Sequence, residues 1–436
     1  MANPEGSAVT TAPDTPPDSL RNASTVAWIA FDFINSILII NGSLFYSQWL
    51  TGTKKVDSFW YGLTFTASTV LLLLLTPFFG AQIDKRRNGR SILFYTSLTM
   101  GLVTFSLVGC AYNPDNRWQV GGTLVCFGLI NFFYQLSLVP YNWLLPFIKG
   151  VQKAEVPLLT GIGESFGNLG SVAGALLGVG ILAIPNFLKG QNATIDLLSL
   201  IAIIYLALFF IDYLVMRKGL DNHAEWTAPE SVSLVAAVKE YYGATWCTLK
   251  KHDGLRWYLF AFVLYADALL TVQLYLPVYM RERVGLSESY TAGAFALSLT
   301  VAGLGAYVFA KTRTQQYLRM AIIASLLLWV PVLLVLGTVP NLIAFWAAMV
   351  VGGFLFGVVW SASRAYLYVL APTEHLGRGF GLYSVFQRCA SIAGPLLWGG
   401  IMLTPMTLGN RYILAFSAMS AMIAVAIVIL VVRSAD

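Results

Sequence analysis

The chain has 436 residues, of which 57% are hydrophobic and 11% charged. Soluble domains carry roughly 25% charged residues, so a water-soluble globular enzyme is excluded. An aromatic content of 14% excludes a disordered chain. What remains is a polytopic membrane protein. At about 20 apolar residues per crossing of roughly 30 Å of hydrocarbon, the length accommodates twelve spans.

Residues 1–24 are Pro/Thr-rich and lack a basic segment followed by an apolar core, so they are expected to form a disordered cytoplasmic tail, not a signal or transit peptide. Apolar runs between polar breaks then predict twelve helices, over 25–50, 59–83, 91–112, 119–148, 158–186, 194–216, 255–280, 288–310, 318–338, 341–370, 378–402 and 410–432. Continuous apolar runs such as Val70–Leu75 do not alternate as barrel strands must. With both termini cytoplasmic, inner segments hold 18 Lys and Arg and outer loops 7. That bias sets the expected orientation. It also accounts for the net charge of +6, so no nucleic-acid partner is expected.

The polar stretch 217–254 separates two expected six-helix bundles, 25–216 and 255–436, and its segment from Ser231 to Lys251 reads as an amphipathic surface helix. Ser171-Val-Ala-Gly-Ala-Leu-Leu177 matches Ser391-Ile-Ala-Gly-Pro-Leu-Leu397, and Ala30-Phe-Asp32 resembles Tyr265-Ala-Asp267. Parallel repeats of this kind place a substrate site between the halves near mid-membrane. Cys110, Cys126, Cys247 and Cys389 show no paired spacing, and His223, His252 and His375 all lie in polar connections. Disulfides, metal sites and cofactors are therefore not expected. No phosphate-binding loop, potassium-filter sequence or HExxH motif occurs.

The loop after the second helix reads Gly80-Ala-Gln-Ile-Asp84-Lys-Arg-Arg-Asn-Gly89-Arg90. It resembles the signature of the major facilitator superfamily, which implies an all-α membrane fold of two pseudo-symmetric six-helix bundles. Physically, the loop reads as a latch in which Asp84 meets a helix N-terminus and the arginines stay at the anionic face. Gly80, Asp84 and Arg90 are thus gating candidates.

Narrower resemblance lies in Trp28-Ile-Ala-Phe-Asp32-Phe-Ile-Asn35-Ser36, Val139-Pro140-Tyr141-Asn142-Trp-Leu-Leu-Pro146, Ala261-Phe-Val-Leu-Tyr265-Ala-Asp267, and Ser361-Ala-Ser363-Arg364 with Phe380-Gly381-Leu-Tyr383 and Gly394-Pro395. These segments resemble the "YDxANS", "YNxxLP", "YxxDG" and "SRS…FGxY…GPL" elements of the vacuole-effluxer (autophagy-related amino-acid effluxer) family and its bacterial relatives. Ala268 replaces that family's glycine after Asp267. The resemblance implies transport of amino acids.

Asp32, Glu164, Asp267, Arg364 and Arg388 fall inside predicted spans, and Asp212 near a helix end. A charge at the bilayer centre costs at least about 2.5–3.5 kcal/mol, so each needs a partner, water or neutralisation. Two readings stay open for the carboxylates. In one, Asp32 and Asp267 pair permanently with Arg364 or Arg388. In the other, Asp32, Asp267 and Glu164 exchange protons, because desolvation disfavours the ionised form. On that second reading Asp32 and Asp267 line a wet crevice at the seam between the halves. Arg388 stays charged. It faces either a substrate carboxylate or phosphate, or one of the three acids. Arg364, near a helix end, reads as a gate residue or a snorkelling cation. Asn35, Tyr141, Asn142, Tyr265 and Gln387 could offer neutral hydrogen bonds to a solute. The glycines of the fifth helix, Gly161 to Gly178, are expected to permit close packing across the interface between halves.

The expected function is secondary transport of a small polar solute, with amino acids as the first choice and proton symport as the mechanism. The chain would act as a monomer, in the cell membrane of a bacterium or the vacuolar membrane of a eukaryote. The alternatives are a proton-independent uniporter or exporter of sugars, drugs or lipids, and a transporter-like receptor that moves nothing.

Overall fold

A computed structural model describes residues 22–86, 88–152, 156–184, 187–188, 192–220, 233–311, 317–339, 341–370 and 385–433. Within these, the side chains of Asp84 and Glu164 fall outside the description, as do the tail 1–21 and the segment 371–384 that carries Arg378, Gly381 and Tyr383. The structure is helical throughout, as hydrocarbon demands of a chain whose backbone polar groups must pair internally. Among the described residues the sole β-type contact is an isolated antiparallel bridge between Ile148 and Leu220.

The N-terminal half comprises α1 (Ala23–Asn41), α2 (Ser58–Arg86), α3 (Gly89–Ala111), α4 (Asn116–Leu144), α5 (Val156–Ala183) and α6 (Ala193–Lys218). A surface helix, α7 (Leu234–Lys251), follows. The C-terminal half comprises α8 (Asp253–Tyr279), α9 (Glu288–Lys311), α10 (Leu318–Thr338), α11 (Leu342–Leu370), α12 (Ala393–Met402) and α13 (Leu408–Val432). Among the described residues, eleven of these helices are long and apolar enough to cross a membrane. The chain is a multi-pass integral membrane protein.

The expected eleventh span, 378–402, is the exception. A helical turn over 385–389 ends at residues 390–392, and α12 starts afresh at Ala393. The break separates Arg388 from the Gly394-Pro395 pair that opens α12. Pro395 lacks an N–H and is tolerated there, in the first turn of a helix.

The first span of each half carries the same irregularity. α1 continues through π-helical turns at Gly42–Tyr46 and Trp49–Thr53, and α8 ends in a π-helical turn at Met280–Val284. Each terminates on a backbone bond six residues back, Val56 N–H to Leu50 O and Leu286 N–H to Met280 O, both 3.0 Å. A residue with positive φ sits at each end, Lys55 at 55° and Gly285 at 78°. This structural repeat is more exact than the short sequence repeat that hinted at it.

Packing within the N-terminal half is dominated by α1 against α5 and α6 and by α3 against α4; within the other, by α11 against α9 and α10 and by α13 against α10 and α8. The halves meet along α5 with α9 and along α2 with α12. The glycine stripe of α5 does not serve that seam. Gly167, Gly170 and Gly174 lie against Asp32, Phe33 and Ile37 of α1, inside the N-terminal half. The stripe lets the two backbones approach closely enough for Asn41 Nδ2 to donate to Gly174 O at 2.9 Å.

The face holding the start of α1 and the end of α13 is the termini face. There Asn22 caps α1 by accepting from Ser24 N–H at 3.0 Å, while Lys149 N–H donates to Gly219 O at 2.9 Å. In the other half, Arg319 donates to the terminal carbonyls of Leu430 and Val431, each at 2.8 Å, a basic side chain satisfying a helix C-terminus. α7 packs along α2 and α8 at this face, with Tyr242 OH donating to Leu73 O at 2.7 Å.

Candidate functional site

Asp32 projects from the middle of α1. It lies so flat against α5 that any Cβ at Gly167 would collide with its Oδ2. Tyr134 and Tyr141, two turns apart on α4, lie within its electrostatic reach. The charge that reaches it from the opposite half is Arg364 of α11. Asp32 is partly exposed, and among the described residues no hydrogen bond or ion pair engages its carboxyl group. The permanent arginine pair is therefore not formed at Asp32 in this state.

Asp267 does not line a crevice. It is 1% exposed, and its Oδ2 accepts the Gly394 N–H at 2.8 Å, while Thr271 Oγ1 stands 3.5 Å from Oδ1. The carboxylate sits at the N-terminus of α12, where unpaired N–H groups and the helix dipole favour an anion. The expectation of two equivalent acids on a wet seam thus fails for Asp267, because the broken helix supplies the donors that solvent would otherwise supply.

Arg388 follows the opposite logic. Its guanidinium spans from the C-terminal half to the N-terminal one, with Nη1 3.5 Å from Thr76 Oγ1 and Nη2 3.4 Å from Gln135 O. Both contacts are long for hydrogen bonds, and both acceptors are neutral. Among the described residues no carboxylate pairs with it. Tyr241 and Tyr242 of α7 lie within its electrostatic reach. A half-buried cation with five donors and two weak neutral acceptors retains capacity for an anion.

The remaining candidates separate into internal struts and more exposed groups. Asn35 is fully buried, donates to Ser137 Oγ at 3.2 Å and accepts from Tyr205 OH at 3.4 Å. Tyr265 is also fully buried, with its hydroxyl 2.7 Å from Ser363 Oγ. The two positions are matching struts, each tying the first helix of its half to the fourth. Tyr141 stacks on Trp28 with ring centroids 4.3 Å apart, and its carbonyl accepts from Trp28 Nε1 at 2.8 Å. Asn142 is exposed and Gln387 half-buried. In the latch, Gly80 and Arg90 are half-buried and α2 runs through Asp84. Gly89 admits the Trp143 ring of α4, which would lie 2.6 Å from a Cβ at that position.

At the far face the halves are locked together. Arg281 Nη1 donates to Gln48 O at 3.1 Å, and Tyr275 OH reaches Ser58 O at 3.4 Å and Pro395 O at 3.2 Å. Tyr275 also stacks on Trp398, with centroids 5.3 Å apart. A cavity of about 660 Å³ beside Arg281 and Leu286 opens at this face, remote from Asp32 and Arg388.

Two helix bundles of matching order thus meet along one seam and are bonded to each other at the far face. A family model described as "Vacuole effluxer Atg22 like" matches residues 42–436. The chain belongs to this family. A curated relative in Bacillus subtilis (strain 168), an uncharacterized MFS-type transporter YxiO, is 21% identical over 387 residues, covering 85% of this chain and 86% of that one. Among solved structures, a D-xylose-proton symporter superposes with TM-score 0.72 at 11% identity, covering 95% of this chain and 98% of its own. The nucleoside transporter NupG gives 0.69 at 11%, covering 95% and 99%. A bacterial homologue of the iron transporter ferroportin in an inward-facing state gives 0.68 at 14%, covering 96% and 99%. These likenesses establish the major facilitator fold, and this effluxer-like chain is a membrane transporter, not an enzyme.

Two features of the effluxer-like site were not evident from its sequence. The pairing of Asp267 with Gly394 depends on a helix break that apolar periodicity does not reveal. The flanking "Ser-Ile-Ala-Gly" repeat even suggests Gly174 as the counterpart of Gly394, whereas the glycine that abuts Asp32 is Gly167. Asp212, assigned no role from the sequence, is 6% exposed, and its Oδ2 lacks a hydrogen-bond partner. Its position near the end of an apolar helix was the available signal.

Proposed function

We propose that the chain is a proton-coupled symporter of small zwitterionic or anionic solutes, with amino acids as the solute class. Asp32 carries the proton and Arg388 holds the solute's carboxylate. The observation that carries this reading is the state of two groups, one in each half: an acid with no hydrogen-bonding partner among the described residues, and an arginine with only long contacts to neutral acceptors. The resemblance of the Asp32, Tyr141 and Asp267 segments to the autophagy-related amino-acid effluxers supports the solute class. Both termini are cytoplasmic on the positive-inside distribution, which makes the locked far face the outer one.

In the proposed cycle the far-face contacts of Arg281 and Tyr275 release as the halves rock. Arg364 then closes toward Asp32 at the termini face, and the latch around Gly80, Asp84 and Arg90 re-engages. Arg364 is thereby a gate, and its approach favours loss of the Asp32 proton, since a nearby cation stabilises the carboxylate. Gln387 and Asn142 supply neutral contacts, and a single chain carries the whole path. Asp267 and Tyr265 hold the C-terminal half in shape.

The test is uptake of a radiolabelled amino-acid mixture into proteoliposomes with and without a pH gradient. The reading expects gradient-driven accumulation that Asp32→Asn abolishes while solute exchange persists. Equal accumulation by the wild type with and without the gradient overturns proton coupling, and absence of any amino-acid flux overturns the solute class.

A further inference from the structure

Asp212 has no place in the cycle above. It lies on α6 three residues past Phe209, on the face turned toward α1. At 1.5 Å per residue it is about 9 Å from the termini end of its helix, against about 14 Å for Asp32. It is 6% exposed and Tyr141 is 4% exposed, and among the described residues neither Asp212 Oδ2 nor the Tyr141 hydroxyl oxygen has a hydrogen-bond partner. The two belong to one layer. Phe209 meets Phe31 edge-on at 6.4 Å, Phe31 stacks on Tyr141 at 5.1 Å, and the Tyr141 hydroxyl stands within electrostatic reach of both Asp32 and Asp212.

The neighbours do not satisfy the acid. From α6 itself, Tyr205 is committed to Asn35 and to Ser97 O at 3.2 Å. From α1 and α4 the titratable groups are Asp32 and Tyr141. From α3, Arg90 reaches Tyr213 on the adjoining face of α6, and among the described residues no basic side chain pairs with Asp212. A buried polar group left unsatisfied costs about 1–3 kcal/mol, and an isolated charge far more. Two such groups in one buried layer are the expected signature of a site that takes up a proton or a water.

We propose that Tyr141 and Asp212 form a second proton station between Asp32 and the termini face. The O–H bond of protonated Asp32 breaks as its proton passes to Tyr141 Oη, directly or across one water. The hydroxyl's own proton passes to Asp212 Oδ2 and from there to the termini-side solution. One proton moves and no other reactant is consumed. The route rests on the proton-coupled reading, but the station itself does not need a known solute.

The experiment is an infrared pH titration of the full-length protein, following the C=O stretch of protonated carboxyl groups in wild type, Asp32→Asn, Asp212→Asn and Tyr141→Phe. Asp212→Asn is expected to remove one carboxyl band and shift the midpoint of the Asp32 band. Tyr141→Phe, which deletes a hydroxyl that bonds to nothing, is expected to leave the melting temperature unchanged and make the two midpoints independent. In proteoliposomes loaded with a pH-sensitive dye and given the amino-acid mixture, Asp212→Asn should slow proton entry at least tenfold, and Asp212→Glu should restore it. A titration of Asp212→Asn identical to wild type overturns the station, as does proton entry at the wild-type rate. The expected titration in a protein whose uptake ignores the pH gradient supports the station and removes the coupling reading alone.

Discussion

The carboxylate of Asp267 accepts the backbone N–H of Gly394 at 2.8 Å. A side chain from the first helix of the C-terminal half thus caps the outer piece of that half's fifth helix. Because α12 begins only at Ala393, its first N–H groups lack intrahelical acceptors, and in a dry interior they must be satisfied by protein. Gly394 is the residue that permits the contact: a Cβ there would lie 2.7 Å from Asp267 Oδ1 and would collide with Thr271. The bond fixes the start of α12, on the far-face side of the break at residues 390–392, while Arg388 lies on the other side of that break.

A cap requires an acceptor, whereas a proton carrier requires a carboxyl group, and substitutions separate the two. Asp267→Asn retains an acceptor oxygen and is expected to keep most of the uptake and thermal stability. Asp267→Ala orphans the Gly394 N–H and should lose about 1–3 kcal/mol, read as a lower melting temperature of the purified protein. Loss of pH-gradient-driven uptake in a normally stable Asp267→Asn variant would return the residue to the coupling machinery.

At Arg388 the prediction turns on geometry as well as charge. Arg388→Lys keeps a cation but loses the planar fork that matches a carboxylate, so KM for amino-acid uptake should rise while the maximal rate changes little. Arg388→Gln removes the charge-assisted bonds, worth about 1.5–3 kcal/mol, and should cost roughly tenfold to a hundredfold in kcat/KM. The melting temperature should hold or rise, since the arginine has no ionic partner among the described residues. Unchanged KM in both variants rejects a solute contact.

Composition and apolar run length specify the membrane class, the two halves and, the broken eleventh span apart, the helix ends to within a few residues, because hydrocarbon admits so few backbone solutions. The intramembrane ionisable residues stand out for the same reason. Their roles do not. Asn35 and Tyr265 look like solute ligands in an apolar sequence but are fully buried struts with protein partners. Which face of a helix a polar residue occupies depends on packing that a single chain's pattern does not encode. Asn35→Ala is accordingly expected to lower the melting temperature, through loss of its bonds to the Ser137 and Tyr205 hydroxyls, without raising KM in the folded fraction.

The far-face lock should set the resting population of states. Tyr275 and Arg281 contribute bonds across the seam to Ser58 and Gln48, each worth about 0.5–1.5 kcal/mol net. Removing both with Tyr275→Phe and Arg281→Ala therefore favours opening of that face by roughly fivefold to a hundredfold. Spin labels placed on the α1–α2 and α8–α9 connections should report a longer distance distribution in the double variant. A distribution unchanged from wild type would mean that the lock contributes nothing to the equilibrium.

The surface helix gives a prediction in pH. Burial pushes the Tyr242 hydroxyl up to about 12, with Cys389 and Tyr241 adding to the shift and Arg388 opposing it. The hydroxyl donates to Leu73 O, so only its protonated form makes the contact. A group whose folded value is raised contributes stability that is intact below its unfolded value, near 10 for tyrosine, and is lost as pH rises through the folded value. Docking of α7 on α2 should thus persist through pH 10 and fail near 12. Ultraviolet titration should show a tyrosinate step near 12 that Tyr242→Phe removes, and protection of α7 from proteolysis should fall in the same window. Tyr242→Phe should expose α7 at neutral pH as well, since the bond to Leu73 is then absent at every pH.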